Sequence, residues 1–148
     1  MYNPAEFLTG YRRAVRLQED MLREVGQRFG LSLIEATILC FLRNNPEMDT
    51  AADVATYRML SKGNVSQAVD SLVGHGLLER TQDVHDRRQF HLTLTEKASD
   101  IAEALVALNH KLDAIMFEGV TNEERELYHR VSSKVTENLM RKRKAEAE

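Results

Sequence analysis

Asn64 and Gln67 stand three residues apart in the run SKGNVSQAVDSLVGHGLLERTQDVHDRRQFHLTL, residues 61–94. A carboxamide donates and accepts hydrogen bonds at once, which is the pair of contacts that an adenine edge offers in a DNA major groove. Ser66 adds a short donor and acceptor, while Ser61 and Lys62 just upstream suit phosphate oxygens. Further along, His85, Arg87 and Arg88 form a cationic group suited to a phosphate or a narrow minor groove. Asp83 and Asp86 sit among them: paired with an arginine an aspartate orients it, and unpaired it repels DNA. This is the chemistry of recognition rather than of turnover.

Periodicity says what positions these groups. Val65, Val69, Leu72 and Val73 make one apolar side of a short helix running from Lys62 to roughly Val73, and the polar residues occupy much of the rest. Ser61 caps its start, and Gly74 with Gly76 stop it. Two strand-like runs follow, Leu77–Thr81 and Gln89–Leu94, around the charged turn 83–88. Phe90, Leu92 and Leu94 alternate with Gln89, His91 and Thr93, giving the second run one dry and one wet face. Upstream, Asp49 or Thr50 caps a short helix from Ala51 to Arg58, and Met59-Leu60-Ser61 is the bend between the two helices. Two short helices joined by a tight bend are a helix-turn-helix, whose second helix fits a major groove about 12 Å wide.

Other chemistries have little support. The histidines at 75, 85, 91, 110 and 129 show no H-x-x-x-H or H-E-x-x-H spacing and no cysteine pair accompanies them, so no metal site is expected. There is no phosphate-cradling G-x-x-x-x-G-K and no G-x-S-x-G, so neither catalytic residues nor a cofactor are expected. Twenty basic and 23 acidic residues leave a formal charge of -3, so attraction to DNA has to come from local charge placement. The single Cys40, midway along an apolar helix, reads as a buried small hydrophobe. With no signal-like N-terminus and no long apolar run, the expectation is a cytoplasmic protein with no membrane partner.

The run from Thr50 to Ala98 resembles the winged helix-turn-helix of the MarR family of bacterial transcriptional regulators. VATYRMLSKGNVSQAVDSL, GHGLLER and DVHDRRQFHLTLTEKA carry the resemblance. The family's wing pattern falls on Asp83, Asp86, Arg88, Leu94 and Thr95. Two departures are visible: Ala98 where a glycine is frequent, and Tyr57-Arg58-Met59 in a bend that is usually smaller. The resemblance implies a mostly α fold with a small β-hairpin, a winged helix-turn-helix flanked by long N- and C-terminal dimerisation helices. It divides the chain into residues 1–30, the N-terminal dimerisation helix; 31–95, the DNA-binding region; and 96–148, the C-terminal helices and basic tail.

The flanks fit that plan. Phe7, Leu8, Tyr11, Val15, Leu22 and Val25 recur at helical spacing after Pro4, up to Gly26 or Gly30. Ser32 with Glu35 forms a capping box for a very apolar second helix that ends at Asn44-Asn45-Pro46. Ile101, Leu105, Leu108, Leu112 and Ile115 mark a fifth helix. Thr121 with Glu124 opens a sixth, along which Leu127, Val131, Val135 and Leu139 recur every four residues. By the resemblance, such stripes interlock two subunits into a homodimer with two reading heads for a pseudo-palindromic site on double-stranded DNA. The family also implies repression relieved by a small aromatic or phenolic effector, expected near Tyr11, Phe29, Met48 and His110. By this reading, Asn64, Ser66 and Gln67 read bases, while Ser61, Lys62, His85, Arg87 and Arg88 hold the backbone. Arg88 is expected to be fixed by Asp83 or Asp86, the wing-orienting pair, with Arg87 nearer the tip. The alternative is a winged-helix protein-interaction module that binds no DNA.

Overall fold

Asn3 starts the first helix, α1 (Pro4–Phe29), by accepting the backbone N–H groups of Ala5 and Glu6 at 3.1 and 3.4 Å. Pro4 sits where a missing N–H costs nothing. Of the two glycines that could end this helix, Gly30 does so, with φ 71° in the left-handed region. Gly26 is inside the helix and buried, because the chain turns back against it there: the Leu31 N–H donates to the Gly26 carbonyl at 2.8 Å. A Cβ at position 26 would lie 2.6 Å from the Leu31 carbonyl oxygen. Gly26→Ala is therefore expected to destabilise the fold by roughly 2 kcal/mol, although alanine is the better helix former. Urea unfolding would show this as a lower midpoint, and an unchanged or higher midpoint would mean that the turn gives way freely.

The computed structural model describes residues 1–147, with side chains through Lys144, so Glu148 of the expected C-terminal segment lies outside the described residues. Helix α2 (Leu33–Asn44) has both halves of the Ser32–Glu35 capping box, and residues 36–42 are all buried. Helix α3 (Ala51–Tyr57) is capped by Thr50 rather than Asp49, in a second reciprocal box with Asp53. Met59, at φ 54°, takes the left-handed conformation that turns the chain into α4 (Lys62–Gly74). This bulky bend therefore forms without the glycine usual at such a φ.

The hairpin comprises β1 (Leu78–Gln82) and β2 (Phe90–Leu94), antiparallel with Leu78 opposite Leu94 and Thr81 opposite His91. Each strand starts one residue later than the alternation suggests. The Leu77 N–H is bonded to the Leu72 carbonyl behind α4, and the Gln89 N–H closes the wing turn on the Asp86 carbonyl. The dry face is also shorter than expected. Leu92 is buried and Leu94 half-buried, but Phe90 is exposed, because it lies beside the turn, out past the core.

After a 3-10 turn at Glu96–Ala98 comes α5 (Ser99–Met116). Ala98 is fully buried in that turn. Leu22, Ile38, Leu39, Val54, Val65, Leu72, Leu78 and Leu105 are buried completely and draw α1 to α5 and β1 into one core. All of it belongs to one compact unit, Met1–Leu112; the second unit is Asp113–Glu148. In the second unit Thr121 and Glu124 bond reciprocally at the start of α6 (Asn122–Ala147). The bond from the Thr121 N–H to its carboxylate is the main cause that holds Glu124 below the usual carboxylate range. Arg125 pairs with Asp113 and lies over the Phe117 ring at 4.6 Å, and Tyr128 meets that ring edge-on at 5.4 Å. No single helix among the described residues is long and apolar enough to cross a membrane.

Candidate nucleic-acid interface

Helix α4 has two unlike sides. Val65, Ala68, Val69 and Leu72 are buried, whereas Ser61, Lys62, Asn64, Ser66, Gln67 and Asp70 are exposed. The Ser61 hydroxyl accepts the Asn64 N–H at 3.2 Å as the N-cap and keeps its own hydrogen for another acceptor. Two contacts hold the helix from its flanks. Asp70 pairs with Arg80 of β1, and the Ser71 hydroxyl donates to Glu35 at 3.3 Å. Among the described residues, the side chains of Lys62, Asn64, Ser66 and Gln67 make no internal hydrogen bond or ion pair. Four neighbouring polar groups are thus left to solvent or to a partner on the exposed side of α4.

The wing is built around Asp83. One carboxylate oxygen accepts the His85 and Asp86 N–H groups, each at 2.8 Å, and the other meets His91 Nε2 at 2.7 Å. Asp86 accepts the Arg88 N–H at 2.9 Å, and the Gln82 amide donates to the Arg87 carbonyl at 2.8 Å. The expected fixing of Arg88 thus runs through its backbone. Its guanidinium, that of Arg87 and the His85 ring have no internal partner among the described residues. Asp83 is occupied by the turn and by His91, so the wing cations remain outward and unneutralised.

His91 was not among the candidate residues, yet it ties the wing down. Its Nδ1 lies 2.7 Å from Asp49 Oδ1, in the loop before α3, and its Nε2 meets Asp83. The bonds to Asp49 and Asp83 push the His91 ring above the ordinary histidine range, and the His91 bond is the main reason Asp83 is held down to about 2. The sequence did hold a signal. His91 falls on the wet face of its strand, and Asp83, two residues past its partner Thr81, shares that face. What no local pattern gives is Asp49, brought in by the Leu92 N–H bonding to the Asp49 carbonyl at 2.8 Å.

A cavity of about 290 Å³ opens where the end of α1 and the start of α2 approach the end of α4 and the start of α5. Phe29, Leu31, Leu77 and Ile101 supply its apolar walls, with Glu35 and Lys97 among its polar ones. Of the four residues expected at an effector pocket, only Phe29 lines it. Tyr11 and His110 are exposed on α1 and α5, and Met48 packs against the core before α3. A smaller cavity, about 110 Å³, is bordered by Gln18, Cys40, Asn44 and Arg58. Burial pushes the Cys40 thiol up, away from the reactive thiolate. Among the described residues no three His, Cys, Asp or Glu side chains converge as metal ligands: the two aspartates meet opposite nitrogens of His91.

Residues 29–89 match the model of the MarR family. An uncharacterised HTH-type transcriptional regulator of Bacillus subtilis, YwaE, is 26% identical over 129 residues, 87% of this chain and 75% of that one. The fold is similar to a MarR family regulator from Silicibacter pomeroyi, at 23% identity and TM-score 0.74, covering 91% of this chain and 89% of the other. It is also similar to a structure from Listeria monocytogenes, ascribed to the MarR family and complexed with 26mer DNA. That likeness has a TM-score of 0.72 at 18% identity, and covers 94% of this chain and 90% of that one.

Proposed function

We infer that this chain, which belongs to the MarR family of DNA-binding winged helix-turn-helix regulators, acts as a homodimeric, ligand-responsive repressor on a pseudo-palindromic operator. One observation carries the DNA-reading part: the exposed polar face of α4 and the outward cations of the wing belong to one compact unit, and neither is satisfied internally. A major groove takes such a helix, while a flanking phosphate or minor groove takes such a wing. In this reading Asn64, Ser66 and Gln67 reach base edges, and Ser61, Lys62, His85, Arg87 and Arg88 engage the backbone. Such a regulator meets its DNA in the cytoplasm. The effector is a small aromatic or phenolic molecule, and the cavity at Phe29 has the ring-sized apolar walls to receive one.

Selection of duplexes from a random pool by the full-length protein tests this. Recovery of a two-fold symmetric site is the expected result. Failure to retain any duplex at low salt would instead leave a protein-interaction module. With the selected site in hand, Gln67→Ala is expected to shift preference among site variants by about 1–3 kcal/mol at one base position. Equal loss on every sequence would make Gln67 a backbone contact. Arg87→Ala should weaken binding evenly across sequences and lower the salt dependence by about one phosphate contact. An Arg87→Ala protein with an unaltered salt slope would take the wing tip off the DNA. Arg88→Ala is expected to cost more, since its bonded N–H holds its backbone in the turn and aims the guanidinium more narrowly.

A further inference from the structure

The bridge Asp49–His91–Asp83 joins three separate pieces of chain: the loop before α3, strand β2, and the wing turn after β1. Both ring nitrogens sit 2.7 Å from a carboxylate oxygen. A neutral imidazole has one N–H and one lone pair, so it can serve only one of these carboxylates and turns a lone pair toward the other. Only the doubly protonated ring donates to both. The three side chains are partly exposed, at 22–35%, so water and protons reach the bridge without unfolding.

We propose that His91 is a positioning residue for DNA binding: its imidazolium locks the wing to the helix-turn-helix, and loss of one ring proton releases the wing. The proposal rests on the DNA-binding reading above and adds a proton-dependent fastening to it. Its logic follows from what each end holds. Asp83 also organises the turn through the His85 and Asp86 N–H groups, so the wing's shape and its attachment share one carboxylate. Asp49 stands next to Thr50, the cap of α3, so the other end is fixed to the first helix of the reading head.

Other charges around the bridge leave these two aspartates in control. On the elements packed against β2, Glu79 shares the face of β1 that carries Thr81, and Arg80 lies on the opposite face, paired with Asp70. In α3, Asp53 is engaged at the Thr50 cap. In α2, Glu35 is held by Ser32 and Ser71, and Arg43 is exposed with no bond to the ring. The sign follows directly. The bonds to Asp49 and Asp83 raise His91, so the lock is complete at low pH and is lost as pH climbs through that raised value. Asp83 is ionised down to about 2 and does not limit the lock in any ordinary buffer.

The test uses full-length protein, labelled with nitrogen-15, from pH 5.5 to 9, alongside affinity for a duplex selected from a random pool. The expected result is that the His91 ring carries both protons at the acid end. The His85 and Asp86 amides should then lose protection from exchange as it titrates. Affinity should fall about tenfold over the same range, the equivalent of one charge-assisted hydrogen bond. His91→Gln should bind weakly throughout and lose that part of the pH dependence. Wing amides and affinity indifferent to the His91 titration would overturn the proposal, as would a ring already neutral at pH 6 or a His91→Gln protein with the parent's profile. If the parent retains no duplex at all, the DNA-binding reading fails, while the His85 and Asp86 amides still decide whether the lock exists.

Discussion

A protein carrying Leu8→Asp together with Leu139→Asp is expected to sediment as a monomer at micromolar concentration, and the parent is expected at twice its 16.9 kDa chain mass. The reason is the amount of apolar side chain left on the surface. Phe7, Leu8 and Tyr11 on α1, and Leu127, Val131, Val135 and Leu139 on α6, are each at least 41% exposed within one chain. Only Met21, Leu22 and Gly26 of α1 are buried, so its N-terminal half adds nothing to the core it leads into. Apolar stripes of that length on two helices of 26 residues each are what interfaces between copies are built from. In a two-fold interface every substitution occurs twice. At about 2 kcal/mol for each buried leucine replaced by a charge, two positions in two copies lose about 8 kcal/mol, enough to move even a nanomolar dimer to near-millimolar dissociation. Because both leucines are exposed in the single chain, helical content and the melting of the monomer should be preserved. DNA affinity should fall with dissociation, since two linked heads bind far better than one. A double variant that stays dimeric would place the interface elsewhere.

How much of this could be read from the sequence depended on how local the cause was. Capping boxes at Ser32–Glu35 and Thr121–Glu124 were legible because both partners lie within one turn. The polar face of α4 was legible for a similar reason, since helical periodicity assigns every residue a side. Gly26 was ambiguous because its role depends on where Leu31 returns, which no helical pattern records. Phe90 looked like a core residue since alternation gives its side of the sheet and not how far the core reaches along it. The wing showed the same limit. Its aspartates are expected to orient an arginine, but their partners are backbone N–H groups and a histidine of the opposite strand, not the nearby guanidinium. Charge pairing in sequence suggests Arg88; the geometry of a tight turn, with N–H groups aimed inward, favours the backbone.

That exchange of partners moves the largest wing effect to Asp83, and Asp83→Ala is expected to weaken DNA binding by about tenfold or more, beyond Asp86→Ala. Electrostatics alone gives the opposite sign: removing an anion from the surface of a protein of net charge -3 should tighten its hold on phosphates. Geometry outweighs it because Asp83 accepts three hydrogen bonds, two within the turn and one from His91, and all three go together. Among the described residues the Asp86 carboxylate accepts only the Arg88 N–H. Without Asp83 the turn that presents His85, Arg87 and Arg88 is no longer fixed, and the entropy of ordering it falls on the binding step. Asp83→Asn separates the contributions. Its carbonyl oxygen can still accept the two turn N–H groups, but it carries no charge for the His91 imidazolium, so its affinity should fall between parent and alanine variant. Asp83 itself, at about 2, is fully ionised wherever DNA binding is measured, so any change of the deficit with pH follows His91, and the deficit should shrink as the imidazolium is lost. Helical content should match the parent in both variants, since the wing tip lies outside the buried core. Titrations on one selected duplex at several salt concentrations give the answer. Tighter binding by Asp83→Ala, at every salt concentration, would mean that the wing acts through net charge alone and that its shape is immaterial to the DNA.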